Sequence, residues 1–266
     1  MLKAGVSTAC LYPMPVEDAL YELLLGGVQN VEIFLNTHSE LRKSFIMGLS
    51  ELLKRFDVSC SSLHPFTCEI EPILLFSQYK RRTNDAIDYY KHYFAAMQAL
   101  GAKVFVLHGN KVMGNNLLYF ERFNMLSEIG SQFGITVAQE NVARCTSRSL
   151  DFLKEMKAAI GDKAKFVLDV KQAVRSGENP FSIIEALANN IILVHMSDHG
   201  SYGDCLMIGN GNFKVKEFLN KLSILSPDCT VILELYRSAF ENVSDLLQNY
   251  QVLNRMIENL TGDEKI

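Results

Sequence analysis

Eight short apolar runs, each followed by a segment of helical period, constrain this chain more than any other feature. The runs are Leu2 to Ser7, Asn30 to Leu35, Val58 to Leu63, Lys103 to His108, Ile135 to Gln139, Lys165 to Asp169, Ile191 to His195 and Thr230 to Glu234. Each is nearly continuous in hydrophobicity rather than alternating, the pattern of parallel strands covered on both faces. Between and after them, apolar residues recur at helical spacing over Val16 to Leu25, Glu40 to Phe56, Thr83 to Leu100, Leu117 to Phe133, Ser149 to Ile160, Phe181 to Leu187, Lys214 to Leu222 and Val243 to Ile257.

Helix punctuation agrees with this division. Asn179 before Pro180 reads as a cap followed by a first-turn proline, and Gly101, Gly134 and Gly161 stand just past helix ends, where a left-handed residue is wanted. No low-complexity stretch or linker divides the chain, and Thr261 to Ile266 form a polar tail. The first strand-to-helix turn, Ser7 to Pro15, has no G-x-G-x-x-G fingerprint, so closure into a barrel is favoured over an open nucleotide-binding sheet. The expectation is an α/β chain forming one (β/α)8 barrel domain over residues 1–266.

Composition narrows the function. With 26 basic and 30 acidic side chains the formal charge is −4, which argues against a surface built to grip nucleic acid. Six scattered cysteines without a C-x-x-C pair read as reduced thiols of a cytoplasmic protein. No stretch reaches the roughly 18 apolar residues of a membrane span, and the N-terminus lacks the pattern of a secretory signal.

In such a barrel the chemistry stands at the carboxyl ends of the strands. Strand two carries Glu32, and strands three to eight finish at His64, His108, Glu140, Asp169, His195 and Glu234. Carboxylates converging on one rim repel one another unless a cation or a proton intervenes, so a bound divalent metal is the economical explanation. Mixed imidazole and carboxylate donors suit Zn²⁺, Mn²⁺ or Co²⁺, and disfavour Mg²⁺ wherever imidazole ligates.

These residues resemble the xylose isomerase-like TIM barrels, a superfamily of sugar epimerases and isomerases, inosose-processing enzymes and endonuclease IV. The segments that carry the resemblance are Ile135 to Asn141, Val167-Leu168-Asp169, Val194 to Asp198, Ile232-Leu233-Glu234 and the G-x-G turn Ile208 to Phe213. The resemblance implies that Glu140, Asp169, His195 and Glu234 hold one metal. It further implies that Glu140 and Glu234 exchange a proton with the carbon next to a sugar carbonyl through a metal-stabilised enediolate. His64 and His108 match endonuclease IV ligands and are candidates for a second metal or for substrate contact. That enzyme's third metal site looks dismantled: Gln172 stands where it has a histidine, and Gly203 and Cys205 align with its loop Asp and His, with Asp204 adjacent.

The function expected is a metal-dependent isomerase or epimerase of a small polyhydroxylated carbonyl compound, a sugar, sugar phosphate or inosose. The alternatives are an endonuclease IV-like phosphodiesterase and a non-catalytic ligand-binding barrel. Gln172, Lys171, Arg237 and Glu32 are the candidate substrate contacts; for Lys171 and Arg237, with Arg144 behind them, the alternative is a solvated outward position. Gly209-x-Gly211 reads as a turn rather than a phosphate loop, Lys80-Arg81-Arg82 as a solvated basic run, and the aromatic stretch Tyr89 to Phe94 as helix packing. Homo-oligomerisation is in keeping with the resemblance, but no segment marks an interface.

Overall fold

The computed structural model describes residues 1–112 and 114–260; the polar tail Thr261 to Ile266 lies outside the described residues. Eight parallel strands close into a barrel: β1 (Lys3–Ser7), β2 (Asn30–Phe34), β3 (Ser59–His64), β4 (Val104–Leu107), β5 (Thr136–Glu140), β6 (Lys165–Asp169), β7 (Ile191–Met196) and β10 (Thr230–Leu233). Strands β1 to β7 follow one another around the barrel, and β10 closes it between β7 and β1. The crossovers contain α1 (Val16–Leu25), α2 (Lys43–Phe56), α3 (Lys80–Leu100), α4 (Asn116–Gln132), α5 (Leu150–Ile160), α6 (Val170–Arg175), α7 (Pro180–Leu187) and α8 (Val215–Leu225), and α9 (Val243–Leu260) follows β10. The expected fold class is the one observed.

The barrel interior explains where the site must be. Val106, Ala138, Val167, Leu193 and Ile232 form a buried cluster inside the ring of strands. Side chains alternate faces along a strand, so the residues two positions further on point the same way. Those residues are His108, Glu140, Asp169, His195 and Glu234. An apolar layer thus floors the polar one. Outside the ring, Tyr90, Tyr93 and Phe94 of α3 pack on Phe105 of β4 with centroids 5.5 to 5.7 Å apart, so the aromatic stretch serves the core. Burying such a ring contributes about 1.5–3 kcal/mol.

Capping follows the expected chemistry. Asn179 Oδ1 accepts from Phe181 N at 2.9 Å, and Gly101, Gly134 and Gly161 adopt φ of 78°, 70° and 73°. Two helix starts differ from the periodicity by three residues, and short elements appear that it does not show. Glu40 belongs to a 3-10 turn before α2, because its carboxylate accepts from the backbone N–H groups of Asn36 and Thr37. Helix α3 begins at Lys80, since the Thr83 hydroxyl is turned back onto the Leu75 and Ser77 carbonyls instead of capping; Lys80, Arg81 and Arg82 are exposed in its first turn. The short α6 and a hairpin of β8 (Asp198–Gly200) with β9 (Gly203–Leu206) have too few residues for a period to show.

Candidate active site

The carboxyl ends of β3 to β7 and β10 bring the expected residues together. His195 is at the centre: Nδ1 lies 3.0 Å from Glu140 Oε1, 3.6 Å from Glu234 Oε2 and 3.9 Å from Asp169 Oδ2. The donor atoms of Glu140, Asp169, His195 and Glu234 all fall within 4.8 Å of one another, as do those of His64, His108 and Glu140. Glu140 joins the two groups, since its Oε2 is 2.9 Å from His108 Nε2, which in turn lies 2.7 Å from His64 Nε2.

Burial and mutual charge set the protonation states. Burial works to raise the Glu140 carboxyl, but His108 and His195 beside it hold it well below the usual range. Burial likewise opposes ionisation of Glu234, and the charges of His195 and Lys171 bring it down to about 2. Asp169 moves the other way, to about 6, because burial and the neighbouring Glu140 and Glu234 outweigh Lys171. Burial disfavours the charged forms of His195 and His108, yet Glu234 and Glu32 raise the first well above 6.5 and Glu140 raises the second. His64, buried and facing His108, is lowered to about 4 and is neutral at pH 7.

A supporting layer fixes these groups. The Asn141 side chain accepts from Asp169 N at 2.7 Å and donates to Asp169 O at 2.9 Å, locking the ends of β5 and β6 together. Gln139 Nε2 donates to the carbonyls of Leu107, His108 and Glu140 while its Oε1 accepts from Tyr119 Oη at 2.6 Å. Asp169 doubles as the cap of α6, with Oδ1 accepting from Gln172 N at 2.9 Å. Glu71 was not among the expected site residues. It is fully buried in the loop after β3, where Oε2 accepts from Gly109 N at 2.6 Å. It sits in an irregular segment, so only an acidic residue within an apolar run marks it.

Above the cluster opens a cavity of about 470 Å³, lined by the rings of Tyr12, Phe34, Phe66 and Tyr236 together with His64, His108, Glu140, Asp169, Lys171, Gln172 and Glu234. Of the four candidate substrate contacts, Lys171 and Gln172 line it and two do not. Arg237 donates to the carbonyls of Phe240 and Glu241 at 2.7 and 2.8 Å and stacks over Phe240, so its guanidinium holds the loop after β10. Glu32 is fully buried beneath His195; Ser7 and Ser62 hydroxyls donate to it at 3.1 and 2.8 Å, and His195 Nε2 lies 3.1 Å away. Arg144 reaches the cavity rim paired with Glu69, which also holds Lys111.

The loop after β7 has a structural role. Asp198 accepts four backbone N–H groups, from His199 (2.7 Å), Gly209 (2.9 Å), Phe213 (3.0 Å) and Gly211 (3.1 Å). Gly209 has φ 95°, and a Cβ on Gly211 would stand 2.3 Å from Asp198 Oδ1. The glycines therefore make a turn whose anion is a carboxylate of the chain itself.

One imidazole and three carboxylates converging in this way fit a mid-row divalent ion, with Glu140, Asp169, His195 and Glu234 as its holders. The barrel and its cluster define a class of (β/α)8 protein with an acidic, histidine-containing centre at the strands' carboxyl ends. The xylose isomerase-like TIM barrel family matches over residues 24–256, and the chain belongs to that family. Among solved structures, a D-tagatose 3-epimerase-like protein superposes with a TM-score of 0.81 at 22% identity, covering 98% of this chain and 99% of that one. An IOLI protein with a bound zinc atom gives 0.77 at 17% identity, covering 97% and 99%. An L-ribulose 3-epimerase gives 0.74 at 14% identity, covering 100% and 97%. Comparison with curated proteins gives no match.

Proposed function

We propose that this chain is a divalent-metal-dependent epimerase or isomerase that moves a proton at the carbon next to the carbonyl of a small polyhydroxylated substrate. The observation that carries the reading is the placement of Glu140 and Glu234 beside the same His195 nitrogen, with both carboxylates on the cavity wall. That structural neighbours include a D-tagatose 3-epimerase-like protein and an L-ribulose 3-epimerase, and that another binds zinc, supports it. A bound ion would supply Lewis acidity, polarising the carbonyl and neighbouring hydroxyl oxygens.

The chain's own residues do the rest. Glu140 and Glu234 are both ionised at neutral pH, the state a proton acceptor needs; one removes the proton, and it is returned either by that same carboxyl or by the other once it has taken a proton from solvent. His195 and His108 hold Glu140 in place at 3.0 and 2.9 Å. Tyr12, Phe34, Phe66 and Tyr236 offer apolar faces to a sugar's C–H groups and limit water at the reacting carbon, while Gln172 presents an amide to its hydroxyls. His64 and His108 stand ready for a second ion or a substrate oxygen.

The phosphodiesterase reading loses ground. Gln172 spends its carbonyl oxygen on Ala143 N at 3.1 Å, Asp204 is bound to Arg175, and the Cys205 thiol is turned to the Glu234 carbonyl, so none of the three is free to build a third metal site.

The test is to supply the purified protein with Mn²⁺, Zn²⁺ or Co²⁺, count ions by elemental analysis, and assay a panel of ketoses, inososes and their phosphates. One or two ions per chain, and turnover that Glu140→Gln and Glu234→Gln each reduce at least about 10²-fold, are expected. A chain that holds no ion, or keeps full turnover in both variants, overturns the proposal.

A further inference from the structure

Lys171 lies in the first turn of α6, two residues after Asp169, where a cation is at odds with the helix dipole and a solvated position is the ordinary outcome. Instead the side chain is buried, at 4% exposure, and its ammonium donates to Asp169 Oδ2 and to Glu234 Oε2. Those are two carboxylates of the proposed metal cluster, and the individual oxygens matter. Asp169 Oδ1 is committed to Gln172 N, which leaves Oδ2 to face His195. On Glu234, Oε2 is again the oxygen near His195 Nδ1. In both carboxylates the oxygen turned toward the cluster is the one that Lys171 holds.

We infer that the Lys171 ammonium and a divalent ion compete for the same two oxygens, so that Lys171 is a built-in counter-ion that weakens and gates metal binding in this chain. The inference rests on the metal site proposed above. Without an ion, the ammonium keeps three clustered carboxylates, Glu140, Asp169 and Glu234, from repelling one another. An ion bonded to Asp169 Oδ2 and Glu234 Oε2 would stand beside a like charge, or displace it toward the cavity, where the Tyr236 ring lies 5.8 Å from Nζ.

The experiment is a Mn²⁺ titration of the full-length wild type and of two neutral variants, Lys171→Met and Lys171→Gln, by calorimetry. A neighbouring unit charge changes the affinity of a site by about ten- to a thousand-fold, and at least one neutral variant should bind Mn²⁺ more tightly by that margin. The gain should vanish when Asp169→Asn is added. Tightening from an undetectable wild-type affinity supports the inference equally, while removing metal dependence from the wild type. Equal or weaker binding in both variants, with the wild type still binding, overturns the inference and leaves the proposed function standing; no binding by any of the three overturns both.

The wild type alone supplies a second reading that does not depend on the variants folding. Lys171 is the one buried lysine among the described residues, so its ammonium ¹H–¹⁵N resonance is distinct. Zn²⁺ should shift or broaden that resonance. An unchanged resonance in zinc-loaded protein contradicts the competition.

Discussion

Glu32 Oε2 lies 3.1 Å from His195 Nε2, on a carboxylate with no exposure to solvent. Nε2 is thus placed against Glu32, and the Nδ1 edge of the ring is turned to Glu140, Asp169 and Glu234. A carboxylate behind an imidazole fixes the ring's tautomer and orientation and raises its basicity. On the function proposed above, Glu32, which does not line the cavity, would act through His195. Glu32→Gln should lower Mn²⁺ or Zn²⁺ affinity by about 10–100-fold while the protein stays folded. Competition with a chromogenic chelator measures it; an unchanged affinity would show that Glu32 has no hold on the ring's function.

Asp198 predicts a stability effect with little change in the chemistry. Its two oxygens satisfy four N–H groups that Asp198→Ala would leave unpaired in the turn after β7. Bonds to a charged acceptor are worth about 1.5–3 kcal/mol each and are not additive, so a loss of roughly 3 kcal/mol or more is expected. Urea unfolding of wild type and variant decides it, a midpoint shift within error counting against the clasp.

Glu71 gives the stability a pH dependence with a defined sign. Burial raises its carboxyl from 4.5 to about 8 in the folded chain. Between those values the folded state keeps a proton that the unfolded state has lost. Stability therefore falls as pH rises through that window, by at most about 1.4 kcal/mol per pH unit, and levels off above it. Glu71→Gln has no proton to lose. Its stability relative to wild type should rise steadily from pH 5 to pH 8, as read by urea unfolding at several pH values; parallel curves would contradict the buried carboxyl's titration.

The ring of strands was readable because parallel, doubly covered strands leave continuous apolar runs, and their carboxyl ends were readable because period-two alternation puts His108, Glu140, Asp169, His195 and Glu234 on the face of the inner apolar layer. Side-chain direction beyond a strand end was not. Arg237 and Lys171 both follow a strand-end carboxylate within three residues, yet one turns to the carbonyls of Phe240 and Glu241 and the other into the cluster. Local spacing is nearly the same; the loop after β10 and the helix after β6 make the difference. Glu32 is readable as a strand residue but not as the partner of His195, since that contact crosses the barrel. Glu71 and the β8–β9 hairpin lie in irregular or short segments where no period exists to read.

The central claim is proton transfer at the carbon next to a carbonyl by Glu140 and Glu234. It is tested most directly by incubating metal-supplemented protein with a panel of ketoses and inososes in D₂O and following the protons adjacent to the carbonyl by ¹H NMR. At least one substrate should lose one such proton signal to deuterium as its epimer or isomer forms, with the rate cut at least about 10²-fold in Glu140→Gln and in Glu234→Gln. Exchange at the wild-type rate in both variants, or no exchange into any member of the panel by metal-loaded protein, would contradict the account.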